Sequence, residues 1–171
     1  MEKIPSLIHD GQIDPQYEWV WGATPTQQFD GLPYAIIHGA PYAHLSSRTL
    51  PVSMVLCNTS AGLFHGWVPV PQDDERFWAV WEAYDGYMDM DWSYELIGPS
   101  VLGNPEHGTE NVLRPHGTLH LRGVEPTVES ITAYLASHPI EGIVWWEDPW
   151  EQSCRKVKVQ QADFGLKRRS K

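Results

Sequence analysis

The most telling pattern of apolar and polar positions, an apolar run followed by an alternating one, lies near the end of the chain. Residues 142–146 read Gly-Ile-Val-Trp-Trp, and residues 155–159 read Arg-Lys-Val-Lys-Val. Strand side chains point alternately to opposite faces, so Lys156 and Lys158 share one face while Val157 enters the core. These two segments are expected to pair as neighbouring strands. Further strands are predicted at residues 18–22, 34–38, 43–47, 64–70 and 92–97. A Gly-Ala-Pro turn falls at 39–41, and a loop rich in Gly, Pro and Asn runs to about Gly108. Two segments carry a helical period. Residues 73–84 set Phe77, Trp78, Trp81 and Tyr84 on one stripe behind an Asp73 or Asp74 cap, a stripe better suited to a core than to base stacking. Residues 125–137 turn Val128, Ile131 and Leu135 inward, with Pro126 near the first turn. The layout predicted is α+β, twisted antiparallel sheets with flanking helices, without internal repeats or linkers.

Composition narrows this to one compact domain. The chain has 171 residues, 42% of them hydrophobic, and nine tryptophans and seven tyrosines supply large apolar areas. No apolar run reaches the length of about eighteen residues that a membrane span needs. The first twelve residues lack the apolar core of a signal peptide. Cys57 and Cys154 stand without metal spacing, which favours reduced thiols in a cytoplasmic protein. His116 and His120 flank Gly-Thr-Leu, a strand-favouring stretch that would hold them far apart, so a zinc site is not expected. Neither of the common glycine-rich phosphate loops occurs.

The net charge of −10 is unevenly spread. Residues 155–171 hold seven of the twelve Lys and Arg and a single acid, Asp163. The other 154 residues carry five basic against twenty-one acidic side chains. Long-range attraction to a nucleic-acid duplex is therefore weak, whereas a local basic strip can still hold a few phosphates. Two ammonium groups on one strand face can clamp a triphosphate; the competing reading is a solvated edge strand.

The segments Glu141-Gly142-Ile143-Val144 and Lys156-Val157-Lys158 resemble motifs IV and V of the covalent nucleotidyltransferases, the ATP-dependent RNA and DNA ligases and the capping enzymes. Motif I of that superfamily is K-x-D-G, and the matching stretch here is Gln28-Phe29-Asp30-Gly31. Lys3-Ile4-Pro5-Ser6-Leu7, Glu18-Trp19-Val20, Tyr94-Glu95-Leu96-Ile97-Gly98-Pro99, Gly103-Asn104-Pro105-Glu106 and Asp163-Phe164-Gly165-Leu166 are similar to segments of one branch, the small cellular RNA ligases of the RNA ligase 1 type. The resemblance spans nearly the whole chain and is loosest between about residues 48 and 90. It implies a single nucleotidyltransferase (adenylyltransferase) domain over residues 1–171 that binds ATP or AMP, Mg2+ or Mn2+, and RNA 5′-phosphate ends.

The resemblance also implies roles. Lys156 and Lys158 would stabilise charge on the phosphate in flight, Glu95 would hold the nucleoside sugar, and Glu141 would act through the divalent metal. Asp30 would help arrange nucleophile and metal, although an Asp-Gly pair is also an ordinary turn. Arg48 would touch ribose or a 5′ phosphate, and His116 belongs to a His-Gly pair between motifs III and IV. Gln28 stands where the nucleophilic lysine belongs. An amide nitrogen is not basic and cannot form the lysine–AMP phosphoramidate. Between Lys3 and Lys156 the chain has no lysine at all. Self-adenylylation is therefore expected to be absent. Three readings remain at this point: an enzyme that seals pre-adenylylated RNA, a pseudo-ligase that binds nucleotides or RNA ends without chemistry, and a protein that keeps only the fold.

Overall fold

A computed structural model describes residues 4–47, 49, 55–60, 63–84, 91–148, 151 and 154–166. The elements run β1 (Ile8–His9), β2 (Gln12–Ile13), a 3-10 helix (Pro15–Gly22), β3 (Thr24–Gln28), β4 (Leu32–Ile37), β5 (Ala40–Ser47), β6 (Val55–Ser60), β7 (Leu63–Pro69), α1 (Glu75–Ala83), β8 (Ser93–Ile97), β9 (Val112–Pro115), α2 (Val128–Ser137), β10 (Gly142–Trp146), β11 (Lys156–Gln160) and a closing 3-10 turn (Gln161–Phe164). The class is α+β, with antiparallel pairing between all named strands. Two compact units form, residues 31–115 and residues 4–30 together with 116 onward. Among the described residues no helix is long and apolar enough to cross a membrane.

The first unit is a six-stranded sheet in the order β6-β7-β5-β4-β8-β9. Its hairpins are local. His38 and Gly39 take positive φ values of 52° and 73°, the two-residue geometry that joins twisted strands without splaying them. One face carries Tyr34 and Ile36 of β4, Tyr94 and Leu96 of β8 and Leu113 of β9, and α1 covers it with Phe77 and Val80. Phe77 stacks on Tyr34 at 4.6 Å between centroids. Trp78, Trp81 and Tyr84 pack half-buried at the margin of the same cluster, so the aromatic stripe is core, as its spacing predicts. Asp74 caps α1 by accepting the Phe77 N–H, and it also accepts the Tyr34 hydroxyl at 2.6 Å. Burial and that carboxylate push the Tyr34 pKa up.

The second unit is a three-stranded sheet in the order β11-β10-β3, with α2 on its apolar face. Ile131 and Leu135 of α2 pack with Ile143, Trp145, Val157 and Val159, and Leu7 and Val20 complete the cluster. α2 begins at Val128, three residues later than its pattern suggests. Thr127 is the cap, its hydroxyl accepting the Ser130 N–H at 3.2 Å, and the Ser130 hydroxyl turns back to accept from Glu125. Residues 18–22 are not a strand. They form 3-10 turns: Asp14 accepts the Gln16 N–H and caps the first, with Pro15 in its first turn, and a kink at Tyr17 (φ −104°, ψ 30°) precedes residues 18–22. The apolar Trp-Val-Trp run resembles a buried strand in composition, yet only Val20 of the span is buried.

Candidate functional site

The register of the three-stranded sheet sets its polar face. Gln28 pairs with Gly142 and Gly142 with Gln160; Thr26 pairs with Val144 and Val144 with Lys158; Thr24 pairs with Trp146 and Trp146 with Lys156. Paired residues share a face, and these rows lie opposite the apolar set Ile143, Trp145, Val157 and Val159. Two flanking segments widen the middle row. Ser6 bridges Lys158 in parallel and His120 bridges Thr26 in antiparallel fashion. That row therefore reads Ser6, Lys158, Val144, Thr26, His120, at about 4.8 Å per strand. Pro25 does not disturb the ladder. Its carbonyl accepts the Leu121 N–H on the far side of β3, where the missing proline N–H costs no bond to β10.

One end of this face is ordered around Trp146, which is 3% exposed. Its indole N–H donates to Thr26 Oγ1 at 2.9 Å, and the Thr26 hydroxyl donates to the Val144 carbonyl at 3.1 Å. The Lys156 ammonium lies 4.3 Å from the ring centroid. Burial draws the Lys156 pKa below its ordinary value. At the other end, Glu141 accepts from the Gln160 side-chain amide at 2.6 Å. Gly142 has no room for a side chain: a Cβ would strike the Val159 carbonyl and stand 2.9 Å from Gln28 Oε1. Gln28 Oε1 is buried and has no hydrogen-bond partner among the described residues.

The first unit holds Glu95, 8% exposed, on the face of β8 opposite Tyr94 and Leu96. Its Oε1 accepts the Gly31 N–H at 3.1 Å. Gly31 is needed here for space. An added Cβ would collide with the Leu96 carbonyl and come within 2.9 Å of Glu95 Cγ. Gly31 is thus a close approach of backbone to β8, not a position that demands a left-handed glycine. Glu95 pairs across to Arg114 on β9. The same sheet places His44 edge-on to Trp67, stacked near His65, whose Nδ1 lies 2.8 Å from the Ser46 hydroxyl.

The fold brings Gln28, Lys156 and Lys158 onto one face, with Glu141 immediately before it. Asp30 closes the same unit's first segment, two residues beyond β3. His116 precedes Gly117, which takes a φ of +79° and packs its backbone on the Trp146 ring. Arg48 lies outside the described residues. Thr26, Trp146, Gln160 and His120 join the face without having been anticipated. Alternation within 142–146 held the signal for Trp146, whereas Thr26 needed β3 to be recognised first.

As a metal site, the described residues contain no group of three or more His, Cys, Asp or Glu side chains able to hold an ion. Glu141 supplies one carboxylate. That suits Mg2+ or Mn2+ arriving on nucleotide phosphates, which complete the coordination themselves, and does not suit a resident metal centre. No protein-family model matches the chain, and neither does any curated protein.

Proposed function

We propose that the chain is an RNA-ligase-like nucleotidyltransferase domain that binds ATP or AMP and RNA 5′-phosphate ends, cannot charge itself with AMP, and seals ends that are already adenylylated. The observation that carries this reading is the register just described. The segments resembling motifs IV and V pair as successive antiparallel strands, and the leading end of the segment resembling motif I, more than a hundred residues earlier, joins the same sheet face through β3.

The chemistry divides at Gln28. Charging requires an amine to attack the α-phosphate and expel pyrophosphate, and the Gln28 amide has no basic lone pair for it. Sealing requires no protein nucleophile. The RNA 3′ hydroxyl attacks the adenylylated 5′ phosphate, the new P–O bond forms, the bond to the AMP phosphate breaks, and AMP leaves. Lys156 and Lys158 serve this step as fixed positive charge on the phosphates. Glu141 is assigned, by the resemblance, to the metal-bearing phosphates; bound Mg2+ or Mn2+ would polarise phosphate oxygens.

The test is incubation of purified protein with 5′-adenylylated RNA and Mg2+ or Mn2+, with Gln28→Lys in parallel and radiolabelled ATP as a separate arm. Joined RNA from the natural sequence, with no protein-linked AMP, is the expected result. Sealing by the Gln28→Lys variant alone would overturn the sealing activity and leave a disabled ligase. The buried, unpartnered Gln28 oxygen favours a second reading, a pseudo-ligase that binds nucleotide without chemistry. That reading predicts thermal stabilisation by ATP but no joined product from either protein.

A further inference from the structure

The two lysines of the phosphate face stand in unequal surroundings. Lys158 faces Val144 across the strand pair, an aliphatic neighbour that does not direct an ammonium group. Lys156 faces Trp146, and its Nζ rests 4.3 Å from the ring centroid. The indole cannot turn away. Its edge is tied to Thr26 Oγ1 at 2.9 Å, and Thr26, 1% exposed, is tied in turn to the Val144 carbonyl. Gly117 closes on the ring so tightly that a Cβ there would meet three ring atoms at 3.2–3.4 Å. A lysine side chain otherwise samples many rotamers, and clamping it onto a ligand costs that freedom. The face of an aromatic ring attracts an ammonium group and gives it a preferred position.

We infer that Trp146, held by Thr26 and Gly117, is a positioning residue that pre-sets the Lys156 ammonium for a polyphosphate ligand, leaving Lys158 to adapt. This rests on the nucleotide-binding reading and deepens it. Lys156 makes the oriented contact, and its removal costs more affinity than removal of Lys158. The ligand chemistry recognised is a chain of linked phosphates, whether of a nucleoside triphosphate or of an adenylylated 5′ end.

The protein has only five lysines, so lysine-selective 13C NMR resolves them, with Lys156→Arg and Lys158→Arg giving assignments. In the folded wild-type protein the Lys156 ε-methylene resonance is expected upfield, shifted by the indole ring current, and Lys158 at an ordinary position. Calorimetry with inorganic tripolyphosphate, and separately with ATP, then reads binding. Trp146→Leu is expected to abolish the upfield shift and to weaken tripolyphosphate about two- to tenfold, the cost of ordering one free lysine side chain. Trp146→Phe keeps an aromatic face and should restore most of both. If Trp146→Leu does not fold, Thr26→Val carries the test, because it frees the indole edge while conserving side-chain shape; a reduced shift and weaker binding support the inference. An ordinary Lys156 resonance in the wild type overturns it, as does unchanged tripolyphosphate affinity in a folded Trp146→Leu or Thr26→Val protein. If the wild type binds neither tripolyphosphate nor ATP at millimolar concentration, the nucleotide-binding reading fails, and the inference with it. Normal wild-type binding that ignores Trp146 removes the inference alone.

Discussion

The two sheets solve the same packing problem and end with different chemistry on their polar faces. Each buries one face beneath a helix, α1 on the six-stranded sheet and α2 on the three-stranded one. The six-stranded sheet is made largely of sequence-adjacent hairpins, and its other face collects Glu95, Arg114, His44, His65 and Trp67. The three-stranded sheet joins β3 to strands more than a hundred residues away, and its polar face collects two lysines, two threonines and two glutamines. Local pairing yields a sheet readable from short patterns. Non-local pairing assembles a site whose members mean little apart.

The comparison breaks most visibly if the cores are not what they appear. Trp145 is fully buried in the three-stranded sheet, on the strand face opposite Trp146. Trp145→Ala is expected to cost about 3–5 kcal/mol, the range for truncating a buried aromatic, measured by urea unfolding. A loss below about 1 kcal/mol would mean that this face is not the core.

Crowding at Gly31 sharpens the picture of the six-stranded sheet. Gly31→Ala forces a methyl against the Leu96 carbonyl and the Glu95 and Ile97 side chains. An overpacking penalty of about 1–3 kcal/mol is expected in the same assay. A neutral Gly31→Ala would show that the backbone at Gly31 does not seat against β8.

The helix caps offer a matched pair. Thr127→Ala removes one cap bond from α2 and should cost about 1 kcal/mol. Asp74→Ala removes the α1 cap together with the acceptor of the Tyr34 hydroxyl, and should cost more than Thr127→Ala. Equal losses from the two caps would argue that the Tyr34–Asp74 bond adds no stability.

The smallest effect concerns His44. Burial lowers its pKa, so between that lowered value and about 6.5 the unfolded chain binds more protons than the folded one. Stability therefore falls as pH drops through this window and is fully present above it. His44→Gln should flatten the acid limb of a pH–stability curve. An unchanged limb would exclude His44 as a contributor.

Much of the fold was legible because its signals are local. The helical stripe of Phe77, Trp78, Trp81 and Tyr84, the strand at 142–146 and the alternation of Lys156, Val157 and Lys158 each depend on side-chain direction within a few residues; Val80, buried beside Phe77, was not legible from it. The 3-10 turns at 15–22 misread as a strand because Trp-Val-Trp is a short apolar, β-favouring run, and periodicity alone does not separate such a run from a helical turn. β3 passed unseen because Thr-Pro-Thr-Gln-Gln has no apolar alternation and includes a proline. It becomes a strand only where β10 supplies hydrogen bonds.

What the chain by itself determined is the chemistry available: two lysines on one face, Gln28 with no lysine between Lys3 and Lys156, and apolar periods long enough for two helices. What only the tertiary structure decided is which of these groups meet. Gln28 and Lys158 stand in adjacent rows of one sheet face because β10 pairs with both β3 and β11. Trp146 holds Lys156 because Thr26, 120 residues earlier, fixes its indole. Register of β11 is set by the burial of Val157 and Val159, since a slip by one residue would turn Lys156 and Lys158 into the core in their place.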